Sequence, residues 1–78
     1  MEKSITTRRH RELTALLQRL RRESGLTQGE LAERLEVTQS VISKVESGQR
    51  RLDLVQLDAY CNALGVSLVE LIRRWQSS

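Results

Sequence analysis

The chain has no Pro, no Phe, one Cys, one His and only 3% aromatic residues. With no Pro and few β-branched runs, little interrupts helix formation, and an all-helical chain is favoured. One Cys cannot form an internal disulfide and suits a reducing cytosol. No apolar run approaches the ~18 residues of a membrane span. The opening MEKSITTRRHRE lacks the apolar stretch of a secretory signal. The expectation is a cytoplasmic protein without membrane association. A single His and a single Cys offer no convergent Ser/His/Asp set. No Cys/His cluster has zinc spacing, and no Gly-rich loop follows a strand. Enzymatic activity, a metal and a cofactor are therefore not expected.

What is present is short, charged and periodic. Seventy-eight residues make one expected domain spanning 1–78, with residues 1–6 as a short flexible lead-in. A chain of this length buries only about 60% of its unfolded surface, so it gains from dimerisation. Apolar residues make up 38% but recur at regular intervals, which argues against disorder. The net charge of +3 is a mild pointer to a polyanionic partner.

Five helices are predicted. Leu13, Leu16, Leu17 and Leu20 recur at i, i+3, i+4 and i+7 and form one stripe of a first helix over about residues 7–23. Ser24-Gly25-Leu26 closes it, with Gly25 in the left-handed position. Thr27-x-x-Glu30 is a capping box for a second helix whose buried face is Leu31, Ala32 and Leu35. Glu30 and Arg34 stand at i, i+4 in the favourable order. Thr38 is the expected N-cap of a third helix ending near Glu46, before Gly48. Asp53-x-x-Gln56 caps a fourth helix with Leu54, Leu57, Cys61 and Leu64 inward and Gly65 at its end. Ser67-x-x-Glu70 caps a fifth, carrying Leu68, Leu71, Ile72 and Trp75.

The segment TQGELAERLEVTQSVISKVESG, residues 27–48, carries the chemistry. Two short amphipathic helices are joined there by a turn of about three residues. The second opens with Thr38, Gln39 and Ser40 and keeps Ile42 and Val45 for the interior. A core helix needs no amides or hydroxyls on its leading turn. A helix inserted into the major groove of DNA does, because base edges there offer donors and acceptors. Gln39 can pair with adenine, Ser40 with several base edges, and Lys44 with guanine or a phosphate; Ser43 is a weaker candidate. For Gln39 and Ser40 the alternative is that they are simply good first-turn residues. Thr38 is expected to cap its helix, worth roughly 1 kcal/mol, and to touch backbone or base. His10, among basic neighbours, is expected at the surface, and Cys61 in the core.

Residues 20–72 resemble the lambda-repressor-like, Cro/C1 or XRE-type helix-turn-helix domain. The resemblance rests on LRRESGLTQGELAERL, VTQSVISKVESGQRRLD and LDAYCNALGVSL, which follow in order without gaps. It implies a compact five-helix all-α fold with the helix-turn-helix at helices two and three, and double-stranded DNA as partner. It further implies that Gln28 contacts a phosphate and braces Gln39, and that Arg50 and Arg51 lie along the sugar–phosphate backbone. Arg21 and Glu46 correspond to a frequent partly buried salt bridge. The turn residue Glu36 departs from the Gly that many relatives carry, and a non-Gly residue at φ > 0 there costs on the order of 1 kcal/mol.

Two functions fit this pattern. One is a dimeric transcriptional regulator, a repressor or autoregulator, reading a pseudo-palindromic operator. The other is an interaction module such as the antitoxin partner of a toxin. Leu68, Ile72 and Trp75 are the candidate dimer or partner surface, unless Trp75 packs back onto the first helix.

Overall fold

Four of the five helices begin where a short polar side chain takes up a free first-turn N–H. In the computed structural model, which describes residues 7–77, the order is α1 (Arg8–Glu23), α2 (Gln28–Leu35), α3 (Gln39–Glu46), α4 (Leu54–Leu64) and α5 (Leu68–Gln76). The lead-in expected over residues 1–6 lies outside the described residues. Thr7 caps α1 by accepting from His10 N at 3.2 Å. Full capping boxes open α2, through Thr27 and Glu30, and α4, through Asp53 and Gln56. Ser67 accepts from Glu70 N at 3.0 Å, but the Glu70 carboxylate turns to Arg74 at 3.0 Å and does not complete a box. At the end of α1, Gly25 takes φ +77° and Leu26 N donates to Arg21 O at 3.2 Å. That bond satisfies a terminal carbonyl in the manner of a Schellman close.

The fold is all-α. α1 lies against α3 and α5, α2 against α3 and α4, and α4 against α5. Their shared core is Leu16, Leu17 and Leu20 of α1, Leu31 and Ala32 of α2, Ile42 and Val45 of α3, Tyr60, Cys61 and Leu64 of α4, and Leu71 of α5. Burial pushes the Cys61 thiol up to about 11, with a smaller contribution from Asp58, so it stays protonated at neutral pH as a core side chain.

Three expectations fail here. Leu54 was assigned inward but is 65% exposed, and Tyr60 takes its place at 2%. The buried face of α4 is Leu57, Tyr60, Cys61 and Leu64, while Leu54 stands on the opening turn beyond the packed neighbours. Glu30 and Arg34 do not pair. Glu30 is held by its capping box, and Arg34 Nη1 donates to Ala63 O at 2.9 Å, near the carbonyl end of α4. His10 is 8% exposed rather than at the surface.

Candidate nucleic-acid interface

Ile42 and Val45 bury one side of α3 against the core, and this decides what the other side presents. Gln39, Ser40, Ser43 and Lys44 are all exposed, and so is Thr38 just before them. Thr38 has the extended backbone of an N-cap, φ −80° and ψ 157°, but its hydroxyl makes no capping bond. Val41 N donates instead to the Thr38 carbonyl at 3.0 Å, which occupies the N–H that the hydroxyl was expected to receive. The capping role assigned to this side chain is therefore wrong, and its hydroxyl faces solvent.

The turn before α3 is tight. Glu36 adopts φ 58° and ψ 42°, the left-handed conformation, and Val37 N donates to Ala32 O at 3.0 Å. The non-Gly residue thus accepts the strain rather than changing the shape of the turn.

Behind the exposed turn runs a hydrogen-bonded chain of side chains. Arg21 of α1 grips Glu46 of α3 with Nε to Oε2 at 2.6 Å and Nη2 to Oε1 at 3.1 Å. Their side chains are only 9% and 3% exposed. Arg21 Nη1 also donates to Leu26 O at 2.8 Å. Gln28, on the first turn of α2, donates Nε2 to Glu46 Oε1 at 3.0 Å. Gln39 in turn donates Nε2 to Gln28 Oε1 at 3.4 Å. Burial alone would raise the Glu46 carboxyl, yet the hydrogen bonds from Arg21 and Gln28 and the Arg21 charge outweigh it and hold it below the usual carboxylate value. The bond to Glu46 raises the Arg21 guanidinium still further above its ordinary value.

The loop after α3 is folded back on the helix it leaves. Gly48 has φ +83°, a conformation that costs an L side chain, and Gln49 N and Arg50 N both donate to Lys44 O, at 2.8 and 3.1 Å. The His10 ring sits beside this glycine, with Nε2 3.3 Å from Gly48 O. The first turn of α1 thus anchors the loop that carries Arg50 and Arg51. Both arginines are exposed and form no ion pair among the described residues. His10 is the site residue that the sequence did not reveal; its signal was its place on the first turn of a helix among charged residues.

At the far end, Trp75 is not a free anchor. Its Nε1 donates to Arg9 O at 3.0 Å, and the Arg9 guanidinium lies 4.4 Å from the ring centroid. The indole is fastened to α1, so it is withdrawn from the candidate partner surface. Leu68 and Ile72 stay partly covered, and Val69 beside them is exposed.

An exposed polar first turn on α3, a tight turn behind α2 and a cationic loop beyond Gly48 are the parts of a helix-turn-helix reader. Residues 17–71 match the helix-turn-helix family. The chain belongs to that family, in its Cro/C1-type (XRE) class. It is 46% identical over 54 residues to the HTH-type transcriptional regulator y4dJ of Sinorhizobium fredii, covering 69% of this chain and 70% of that protein. An XRE-family-like protein from Pseudomonas syringae pv. tomato superposes with a TM-score of 0.83 at 36% identity, over 88% of this chain and 84% of that one. The restriction–modification controller protein C.Esp1396I, solved as a tetramer with its natural 35 base-pair operator, shares the fold with a TM-score of 0.83 at 24% identity, over 91% of this chain and 93% of that one. The family is one of DNA-binding transcriptional regulators, not enzymes.

Proposed function

We propose that this helix-turn-helix regulator binds double-stranded DNA sequence-specifically, as a dimer on a pseudo-palindromic operator, with α3 in the major groove. One observation carries the reading: Gln39, Ser40, Ser43 and Lys44 project together from a helix whose opposite side is locked into the core. Gln39 and Ser40 meet base edges, and Ser43 and Lys44 extend the contact along the groove. Gln28, the free Thr38 hydroxyl, Arg50 and Arg51 meet phosphates, which position the protein without reading sequence. The dimer seam is the outer face of α5 around Val69 and Ile72, with Leu68 at its margin; Trp75 stays with α1. The protein works in the cytoplasm, where its own concentration sets operator occupancy.

Selection of sites from a randomised duplex pool, followed by titration at two salt concentrations, tests the proposal. Affinity for the selected duplex should fall about 10³-fold between roughly 50 and 200 mM salt, the consequence of several phosphate contacts. Gln39→Ala should weaken the selected duplex by about 1–3 kcal/mol and relax preference at one base pair. No enrichment from the pool, or equal losses on every sequence for Gln39→Ala, would count against it.

A further inference from the structure

We infer that the cleft between the first turns of α1 and the loop after α3 is a binding site for a small organic anion, a carboxylate with an apolar body, and that filling it releases DNA. The release rests on Arg50 and Arg51 meeting phosphates, as proposed above; the binding site does not.

The cleft has a volume of about 250 Å³. An apolar cavity of about 150 Å³ already accommodates benzene, so this one has room for a single ring or short chain with a head group. Its floor is apolar. Leu13 of α1, Leu52 of the loop, Leu57 of α4 and the Trp75 ring pack on the core and are only half-buried, and all four line the cleft. Its rim is cationic. Arg9, Arg50 and Arg51 line it, and no Asp or Glu does so among the described residues. Arg9 shares its charge with Glu12 at 2.9 Å and lies over the Trp75 ring, so it serves mainly as a wall. Arg50 and Arg51 are exposed and form no ion pair among the described residues, so their charge is available to a ligand.

An apolar floor with cations at one edge fits an amphipathic anion. Its body leaves water on the leucines and the indole, and its carboxylate takes charge-assisted hydrogen bonds from the guanidinium groups. A guanidinium holds a carboxylate and a phosphate with the same fork of N–H donors, so a fork filled by one is denied to the other. The loop makes this competition unavoidable. It is a wall of the cleft and also the carrier of the two arginines, and it is pinned by His10 at Gly48 O and by Gln49 N and Arg50 N at Lys44 O. A carboxylate seated above Leu13 and Trp75 draws Arg50 and Arg51 off the DNA backbone and adds a negative charge beside it. By linkage, bound duplex must weaken the anion by the same factor.

The chain's one Trp lines the cleft, so its fluorescence reports occupancy. The full chain is titrated with phenylacetate at fixed ionic strength. A saturable change should appear, half complete near or below about 1 mM. 2-Phenylethanol, the same body without the charge, should bind about fivefold or more weakly, and acetate should give no change. The Arg50→Ala, Arg51→Ala double variant should lose about fivefold or more in phenylacetate affinity. Leu13→Phe, which fills the cleft from α1, should abolish the response and still bind the selected duplex. No saturable change overturns the inference. Equal binding of 2-phenylethanol, or full affinity in the double variant, overturns it as an anion site. A response retained in Leu13→Phe places the ligand elsewhere and overturns it too; should that variant prove unfolded by its thermal melt, the double variant decides. On the selected duplex, saturating phenylacetate should weaken wild type by about fivefold or more, and 2-phenylethanol at the same concentration should not. Phenylacetate binding without that loss overturns the release of DNA. If no duplex is enriched from the randomised pool, the DNA-binding proposal and the release fall together, and the fluorescence titration still decides the anion site.

Discussion

Two residues are held against their own preferences. Glu36 is in the left-handed region at φ 58°, where an L side chain crowds its own carbonyl. Glu36→Gly should therefore stabilise the fold by about 0.5–1 kcal/mol, the left-handed strain relieved less the extra chain entropy of Gly. Urea unfolding reads this directly, and a loss of stability would mean the carboxylate has a partner role of its own. Tyr60 is 2% exposed, and its hydroxyl finds no hydrogen-bond partner among the described residues. Burial first, then the nearby Glu46 charge, push its phenol well above the ordinary value. A buried hydroxyl without a partner is an energetic cost of about 1–3 kcal/mol. Tyr60→Phe should be neutral or raise the melting temperature; a drop equivalent to more than about 1 kcal/mol would show that the hydroxyl is satisfied after all.

Between elements, the joint that matters is α1 to α3 through Arg21 and Glu46. Because the native Glu46 carboxyl lies below its unfolded value, its stabilisation is fully present above that unfolded value and is lost as pH falls through the native one. Unfolding free energy should thus be level from neutral pH down to about 5 and decline below about 4. Glu46→Gln should flatten this decline in acid titrations followed by circular dichroism, and an unchanged acid limb would remove Glu46 as its source. Breaking one side of the pair leaves a charge in the interior. Arg21→Met should cost about 3 kcal/mol or more, and adding Glu46→Gln to it should recover part of that loss.

For the molecule as a whole, the charge balance of +3 says little by its size and more by its placement. Arg50 and Arg51 sit on a loop pinned by His10, past the end of α3 and on the chain's exposed side. Replacing both with Ala should weaken selected and random duplexes alike and reduce the slope of log affinity against log salt by about one to two. Sequence-selective loss would place them at bases instead. The molecule extends 33 × 24 × 21 Å. In the dimer proposed above, the two copies of α3 would have to stand about one DNA turn, ~34 Å, apart.

The number of helices, their starts and stops, and the Ile42 and Val45 face of α3 were legible in the chain. Caps, left-handed glycines and apolar stripes act within a few residues, and each left its mark at fixed spacing. Side chains satisfied across elements left no such mark. His10 reaches Gly48, Arg34 reaches Ala63, and Trp75 reaches Arg9, over separations of 38, 29 and 66 residues. Leu54 and Tyr60 changed places for the same reason, since only the neighbouring helices decide how far along α4 the core extends. The sequence by itself determined that Gln39 begins a helix with a polar leading turn. Only the packing of α1, α2 and α3 decided that a buried carboxylate stands behind it with one amide, that of Gln28, between them, because a donor and its acceptor meet through the fold and not through their order in the chain.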